Sequence, residues 1–344
     1  MKYNLAKKIE KVIDYEPLHN FAIINGEITN IITNQKIDNI ENQRNIYNFG
    51  NDYIISQDIR GNTYIIDTNN YSFDNNFKID GFKYPYFTFY EINNKSIEGV
   101  YDYNKNVILF TTDEWIGRDI IDNYIFSNYQ GTITSRNIKT GDVLWHFDLN
   151  QLGTLKKEPY KVLKIIGVLD NKVWIALNNY TLIALDINTG ELMHRLSEIK
   201  NFDYPFGSII PAPESMKIDK SRNILYALAW EYYWEINPQT GEIQMWNLFD
   251  YFQSLKLRND LILNYVKIGN IIYFASRNDD CNYESQLAGF NVNTKKIEWQ
   301  YKFLPNENGS IPQINDLKGN EKMLGALDRD NTLHIFEKTE NESV

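Results

Sequence analysis

The stretch LIALDINTG, residues Leu182–Gly190, decides the fold. It reads as a short apolar strand followed by an Asp, three further residues and a glycine, a pattern typical of a strand that ends in a tight turn. The Asp186 side chain can accept hydrogen bonds from the next backbone amides, and glycine supplies the positive φ at which the chain reverses. The same pattern recurs three times, at Asn137–Gly141, Asn237–Gly241 and Asn291–Lys295. Because Lys295 replaces the glycine, the last copy is expected to use a different turn or to accept strain.

The four copies lie about 50 residues apart, the length of one four-stranded propeller blade with its loops. An apolar strand precedes each turn, two more strands lie upstream of it, and one follows. We call the four strands of each unit a, b, c and d in chain order, so the turn lies between strands c and d. The d strand carries a large ring in three of the copies, at Trp145, Trp246 and Trp299. His194 stands at this place in the copy that begins at Asp186. A ring at one fixed place per blade suits packing between neighbouring sheets.

The first third of the chain repeats the theme less closely, in Tyr64–Asn70 and Val100–Asn104. A first b–c hairpin near Phe21 and a last one from Met323 to Phe336 bring the number of hairpins to eight. We therefore predict an all-β fold, a β-propeller of eight four-stranded antiparallel blades in a single domain over residues 1–344. Seven blades is the alternative, because the first hairpin is poorly patterned.

The last repeat ends after its c strand, so its outer d strand has to come from elsewhere. The N-terminal segment 1–17 can supply it, with the strand somewhere in residues 3–13, and such closure removes an exposed sheet edge. A helix over residues 3–13 is the competing interpretation, because Leu5, Ile9 and Ile13 fall on one helical face.

Composition narrows the classes of partner. Aromatic residues make up 14% of the chain, which favours strands. The net charge of −10 argues against nucleic acid and is compatible with a protein partner that has a basic patch. No apolar run is long enough to span a bilayer, and the N-terminus lacks the pattern of a secretory signal, so we expect a cytoplasmic protein without membrane contact.

The segments Thr140–Trp145, Leu182–Gly190 and Thr294–Trp299 resemble the repeat of quinoprotein-like (pyrroloquinoline-quinone-like) propellers. The resemblance covers roughly residues 120–300. That superfamily includes quinone-dependent dehydrogenases and also scaffold propellers of outer-membrane assembly that bind proteins. The dehydrogenases hold their quinone with a vicinal disulfide and a calcium site, whereas Cys281 is the only cysteine here. The resemblance therefore implies a branch that binds no cofactor.

The sequence contains no recognisable catalytic or metal motif, and we expect no catalytic residues. The four histidines, His19, His146, His194 and His334, lack metal-ligand spacing, so structural or solvent-facing roles are expected for them. The run Asp328–Asn331 lacks the spacing of a calcium loop and is better explained as a tight b–c hairpin. A catalytic pair of carboxylates brought together from distant blades, as in propeller hydrolases, is the alternative to this expectation.

The long connections point to a binding face. The c–d turns are short, whereas long segments fall in the d–a connections and in one b–c connection, and these two kinds of connection open on the same rim. The acidic and aromatic residues of these loops are the candidate partner-binding site: Asp113, Glu114, Trp115, Tyr160, Asp203, Tyr204, Phe206, Asp279, Asp280 and Tyr283. The alternative for each aromatic is that it packs its loop against the propeller body.

These observations favour a non-enzymatic propeller that binds a protein partner, either as a scaffold or as a neutralising, immunity-type protein. The alternative is a glycan-binding or glycan-processing propeller with a central pocket of acids and aromatics.

Overall fold

The computed structural model describes residues 2–74, 78–93, 95–155, 158–199, 209–277 and 284–339. It confirms the predicted fold: the chain is all-β, and eight antiparallel blades form a β-propeller. Among the described residues, seven blades have four strands. Blade 1 has three, with a single bridge between Thr29 and Lys36 on the edge where the fourth strand would pair. No described helix is long and apolar enough to cross a bilayer.

The first half of the chain forms blades 1 to 4. Strand β1 (Lys2–Ile9) belongs to blade 8. Blade 1 contains β2 (Val12–Glu16), β3 (Phe21–Ile24) and β4 (Glu27–Asn30). Blade 2 contains β5 (Gln43–Asn48), β6 (Tyr53–Asp58), β7 (Thr63–Asp67) and β8 (Phe73–Asp74). Blade 3 contains β9 (Lys78–Lys83), β10 (Tyr86–Asn93), β11 (Lys95–Asp102) and β12 (Val107–Thr112). Blade 4 contains β13 (Asp119–Ile121), β14 (Tyr124–Tyr129), β15 (Thr132–Asn137) and β16 (Val143–Asp148).

The second half forms blades 5 to 8 and carries the helical turns. A 3₁₀ turn (Leu149–Leu152) and a small hairpin of β17 (Thr154–Leu155) and β18 (Glu158–Pro159) precede blade 5. Blade 5 contains β19 (Val162–Leu169), β20 (Lys172–Leu177), β21 (Thr181–Asp186) and β22 (Leu192–Leu196). After a 3₁₀ turn (Pro213–Ser215), blade 6 contains β23 (Lys217–Asp219), β24 (Ile224–Ala229), β25 (Tyr232–Ile236) and β26 (Ile243–Asn247). Helix α1 (Phe249–Ser254) leads to blade 7, with β27 (Val266–Ile268), β28 (Ile271–Ser276), β29 (Gln286–Asn291) and β30 (Lys296–Lys302). Blade 8 contains β31 (Ile314–Gly319), β32 (Met323–Asp328), β33 (Leu333–Thr339) and β1.

Contacts group the chain into two compact units. Unit 1 contains Met1–Asn75, Leu228–Tyr232 and Asn247–Val344, and so holds blades 1, 2, 7 and 8. Unit 2 contains Asn76–Ala227 and Tyr233–Trp246, and so holds blades 3, 4 and 5 with most of blade 6. That residues 1–344 act as a single domain stays a prediction.

In unit 1 the N-terminal strand completes blade 8. Strand β1 pairs antiparallel with β33, with Leu5 opposite Phe336. Tyr3 is buried against Tyr273 and Trp299, and the Trp299 indole N–H donates to the Tyr3 carbonyl at 2.9 Å. Residues 3–13 are not helical, because they fall into two strands separated by a turn in which Lys11 has a φ of 61°.

The four repeated turns share one geometry. Their first side chains, Asn137, Asp186, Asn237 and Asn291, each accept a hydrogen bond from the backbone amide two residues on, at 2.8–2.9 Å. The predicted capping is therefore confirmed. Lys295 has a φ of 58°, and its amide bonds the Asn291 carbonyl as Gly190 bonds Asp186, both at 2.9 Å. Lys295 thus keeps the turn and accepts the left-handed conformation that a side chain disfavours.

The turn glycines of unit 2 lie against the ring that the preceding blade presents. A Cβ atom on Gly190 would lie 2.7 Å from the Trp145 ring, and one on Gly141 would lie 2.6 Å from the Phe110 ring. Trp145 also donates its indole N–H to the Ile187 carbonyl at 2.8 Å. The predicted packing of one ring per blade between neighbouring sheets is therefore present in unit 2.

Candidate partner-binding face

Antiparallel alternation places the d–a and b–c connections of consecutive blades on one rim, which we call the long-loop face. In unit 2, the d–a connections are residues 113–118, 149–161 and 197–216. The corresponding c–d turns, residues 138–142 and 187–191, are short. Four of the candidates lie in the described part of these connections: Asp113, Glu114, Trp115 and Tyr160.

Residues 113–118 are held rigidly between β12 and β13. The Ile116 amide donates to the Glu98 carboxylate at 2.9 Å, and the Arg118 Nε lies 2.8 Å from the Asp80 Oδ2. Gly117 has a φ of 99°, and a Cβ atom there would lie 2.3 Å from the Phe126 carbonyl oxygen. The close approach of the two backbones requires glycine, and the preceding residue, Ile116, is buried in the core.

Trp115 is the centre of an exposed apolar patch. Its ring lies 6.2 Å from that of Tyr129, which ends β14, and Leu163 lies across a small cavity from it. The exposed fractions of the side chains are 39% for Trp115, 64% for Tyr129 and 51% for Leu163. The cavity between Trp115 and Leu163 measures about 300 Å³. These three residues, which we call the Trp115 patch, offer a large apolar surface to a partner.

Charged groups surround the Trp115 patch. Asp113 is exposed, and the Glu114 carboxylate pairs with the Arg136 guanidinium of β15. Restricted hydration raises the pKa of Asp119, which lines the cavity, although Arg118 partly opposes this. Burial likewise raises the pKa of Glu98, against the effect of the Ile116 amide. Burial thus makes both Asp119 and Glu98 easier to protonate.

Tyr160 lies in the body of unit 2. Its side chain is only 3% exposed and belongs to the apolar core of blades 4 and 5. Its hydroxyl accepts a hydrogen bond from Arg195 Nη2 at 2.7 Å, and the guanidinium stands 5.3 Å from its ring centre. Arg195 also donates to the Leu152 carbonyl at 3.0 Å. Tyr160 therefore packs its loop against the propeller body, the alternative that sequence reasoning left open.

The other candidates lie outside the described residues: Asp203, Tyr204, Phe206, Asp279, Asp280 and Tyr283, together with Cys281. Their part in a binding face stays a prediction.

Sequence reasoning missed Tyr129 and Leu163, which belong to strand ends rather than to long loops. Tyr180, 48% exposed in the b–c turn of blade 5, was missed for the same reason. The usable signal was an aromatic residue at the tip of a tight hairpin, as in Tyr129–Gly131, where partners for burial are few.

The histidines make local contacts. His334 Nε2 lies 2.8 Å from the Asp328 carboxylate, and His146 lies 2.9 Å from the Thr134 hydroxyl. His194 stacks on Trp174 at 5.6 Å, and His19 lies 2.9 Å from Glu16. Within the described part of the chain, no group of three or more His, Cys, Asp or Glu residues is placed to hold a metal ion.

The run Asp328–Asn331 forms the tight hairpin that was predicted. The Asp328 carboxylate accepts hydrogen bonds from the Asp330 amide at 2.9 Å and from the Thr332 amide at 2.8 Å. Asn331 takes the positive φ of the turn, 62°. The side chain of Asp328 is thus occupied in closing the b–c connection of blade 8.

Comparison of the sequence with protein-family models and with curated protein sequences gives no match. The fold is similar to that of BamB from Moraxella catarrhalis, with a TM-score of 0.59, 11% identity and coverage of 98% of this chain and 100% of that one. It is similar to Saccharomyces cerevisiae Sqt1, with a TM-score of 0.58, 13% identity and coverage of 99% and 100%. It is also similar to the C-terminal WD40 domain of Sif2, with a TM-score of 0.57, 9% identity and coverage of 98% and 99%. Identities this low show the β-propeller fold and do not select one repeat type.

Proposed function

We propose that this chain is a non-enzymatic protein-binding propeller that holds its partner on the long-loop face of unit 2. The observation that carries the proposal is the Trp115 patch, where the exposed Trp115 lies on a connection held by hydrogen bonds and the exposed Tyr129 and Leu163 lie at the ends of neighbouring strands. Exposed aromatic anchors held in one orientation lose little conformational freedom on binding. The propeller fold shared with WD40 domains and BamB fits a protein-interaction scaffold in general.

The partner surface is proposed to be basic around an apolar centre. The chain carries a net charge of −10, and Asp113 is exposed beside the patch. Glu114 is already paired with Arg136, so Asp113 is the better candidate for a new ion pair. Rim charges of this kind raise the rate of association more than the final affinity. A scaffold and a neutralising protein would use the same surface.

We further propose that the repeat is of the quinoprotein-like type without its cofactor. Support comes from the Trp145 ring, which lies against Gly190 in the turn of blade 5 and donates its indole N–H to the Ile187 carbonyl of that turn. The single cysteine cannot form the vicinal disulfide that the resemblance associates with quinone binding.

The test compares two variants of the full chain in affinity purification from native lysate, with bound proteins identified by mass spectrometry. The first variant, W115A/Y129A/L163A, removes the patch. The matched control, L192A/M193A, removes two apolar side chains, 41% and 49% exposed, from the outer strand β22. We expect a specific partner that binds the wild type and the control to be lost from the patch variant. Retention of every specific partner by a folded patch variant would contradict the proposed face.

A further inference from the structure

A second cavity in unit 2 lies between the first strands of its blades. Its volume is about 590 Å³, and residues of β9, β13, β19 and β23 line it. The first strands of propeller blades border the central channel. The cavity therefore lies at the inner strands of the blades of unit 2.

The lining of the cavity is positively charged, although the chain as a whole is negatively charged. Four lysines line the cavity, Lys83, Lys164, Lys217 and Lys220, together with one carboxylate among the lining residues described, Asp122. The Lys220 Nζ lies 3.6 Å from Asp122, and both side chains are largely exposed, so this pair is weak. A chain with a net charge of −10 thus concentrates positive charge in its inner cavity.

One of these lysines, Lys164, donates hydrogen bonds to backbone carbonyls. Its Nζ donates to the Glu214 carbonyl at 3.0 Å and to the Met216 carbonyl at 3.4 Å. An ammonium has three N–H groups, so one is left to donate to a ligand. Burial lowers the pKa of Lys164, and the nearby Glu214 carboxylate only partly opposes this. The carbonyls orient the charge without neutralising it.

The remaining lining is mostly apolar and includes Ile120, Ile166, Val168, Met216 and Ile218. Apolar walls weaken solvent screening, so a charge placed between them interacts more strongly with an anion. Lysine ammonium groups act as point charges that suit phosphate, whereas bidentate carboxylate recognition favours arginine. The volume falls in the usual range of small-molecule sites.

We propose that this cavity binds a small molecule that carries two or more phosphate groups and an apolar part. The phosphates would lie among Lys83, Lys164 and Lys220, and the apolar part against the isoleucine walls. This ligand site goes beyond the proposed partner binding and does not depend on it. Lys164 lines both this cavity and the cavity beside Trp115, whereas Lys83 and Lys220 lie at a–b connections, which open on the rim opposite the long-loop face.

The test is isothermal titration of the full chain with inorganic pyrophosphate at low ionic strength, with citrate as a polycarboxylate comparison. We expect K83Q/K220Q, which leaves the enclosed Lys164 in place, to weaken pyrophosphate binding by about tenfold. The matched control K296Q removes an exposed lysine of β30 and is expected to bind as the wild type does. Citrate is expected to bind more weakly than pyrophosphate.

A variant that gains affinity separates loss of binding from loss of folding. D122N removes the single carboxylate of the described lining, and we expect it to bind pyrophosphate about two- to threefold more tightly. Absence of pyrophosphate binding to the wild type at millimolar concentration would overturn the proposal. So would equal affinity of the wild type, K83Q/K220Q and D122N, and citrate binding as tight as pyrophosphate would overturn the assignment to phosphate.

Discussion

Lys318 in unit 1 and Lys164 in unit 2 both lie on or beside the first strand of a blade, and both carry a partly buried charge. Lys318 forms ion pairs with Asp14 and Asp316 and donates to the Tyr15 carbonyl at 2.9 Å. Lys164 bonds only carbonyls, those of Glu214 and Met216. The ammonium group of Lys318 is neutralised by carboxylates of the same chain. The ammonium group of Lys164 is oriented by backbone carbonyls and keeps an N–H group that can donate to an anion.

The pKa directions follow this difference. Burial lowers the pKa of Lys318, but Asp14 and Asp316 outweigh it, so the pKa lies above its ordinary value. Burial lowers the pKa of Lys164 and prevails over Glu214. A buried charge without a counter-charge reduces the stability of the folded protein, whereas a paired one does not carry this cost in full. The Lys318 network is therefore suited to holding blades 8 and 1 together. Lys164 is suited to binding a ligand.

The largest expected effect is the loss of the Lys318 network. K318M leaves the Asp14 and Asp316 carboxylates facing each other without their cation, so we expect the free energy of unfolding to fall by about 3 kcal/mol at pH 7. Urea denaturation measures this. A loss below about 1 kcal/mol would show that the network is no more than a surface ion pair.

The turn glycines of unit 2 come next. G190A places a side chain at a φ of 74° and 2.7 Å from the Trp145 ring, so we expect a loss of about 2 kcal/mol. Thermal and urea denaturation measure it. The matched variant G131A, at a φ of 82° with no atom within 4 Å, is expected to lose about half as much. Equal losses would mean that the ring contact contributes nothing.

We expect K164M to lower the free energy of unfolding by at most about 1 kcal/mol at pH 7. The variant loses two hydrogen bonds, but it also removes the cost of burying a charged ammonium group. The comparison with K318M under the same urea conditions is the decisive measurement. A loss as large as that of K318M would remove the contrast between the two lysines.

K295G tests the strain accepted in the fourth turn. Glycine adopts the φ of 58° without steric cost, so we expect a gain of about 0.5–1 kcal/mol in the free energy of unfolding. The control K296G, at a β30 position with extended backbone, is expected to lose stability. Loss of stability in K295G would show that its side chain contributes more than its backbone costs.

The dependence on pH separates the two lysines by sign. Because the folded pKa of Lys164 is depressed, the wild type gains stability over K164M as the pH rises through that pKa towards the unfolded value of about 10.4. Because the folded pKa of Lys318 is raised, its contribution is complete below the unfolded pKa and is lost as the pH rises through the folded one. Urea denaturation of the three proteins from pH 8 to 11 measures both. Slopes of the same sign would contradict the assignment.

Local patterns predicted much of the fold and only part of the candidate site. The turn at Asp186–Gly190 needs only its own side chain and glycine, so its copies could be recognised and the blades counted. Trp115 was found because it lies in a long d–a connection, where exposed aromatic residues are candidate anchors for a partner. Tyr160 was assigned to the binding site and is buried instead, because it packs into the apolar core that blades 4 and 5 form together and that no short segment reveals.

The inner cavity was not foreseen for a related reason. Lys83, Lys164 and Lys220 come from three different blades, and each alone resembles a solvated charge at a strand end. Only the pairing of strands into sheets and the side-by-side packing of sheets bring such residues to one cavity.

The sequence by itself determined the repeat and the turn chemistry, because hydrogen bonds within a few residues and the alternation of apolar side chains are local. It left the blade number open between eight and seven, because the first hairpin is poorly patterned. The tertiary structure alone decided that Lys318 forms ion pairs with two carboxylates, that Lys164 donates to two backbone carbonyls, and that Trp115 lies beside Tyr129 and Leu163 at the surface. Those outcomes depend on which strands lie side by side, and that is set by the packing of whole blades, which no short segment specifies.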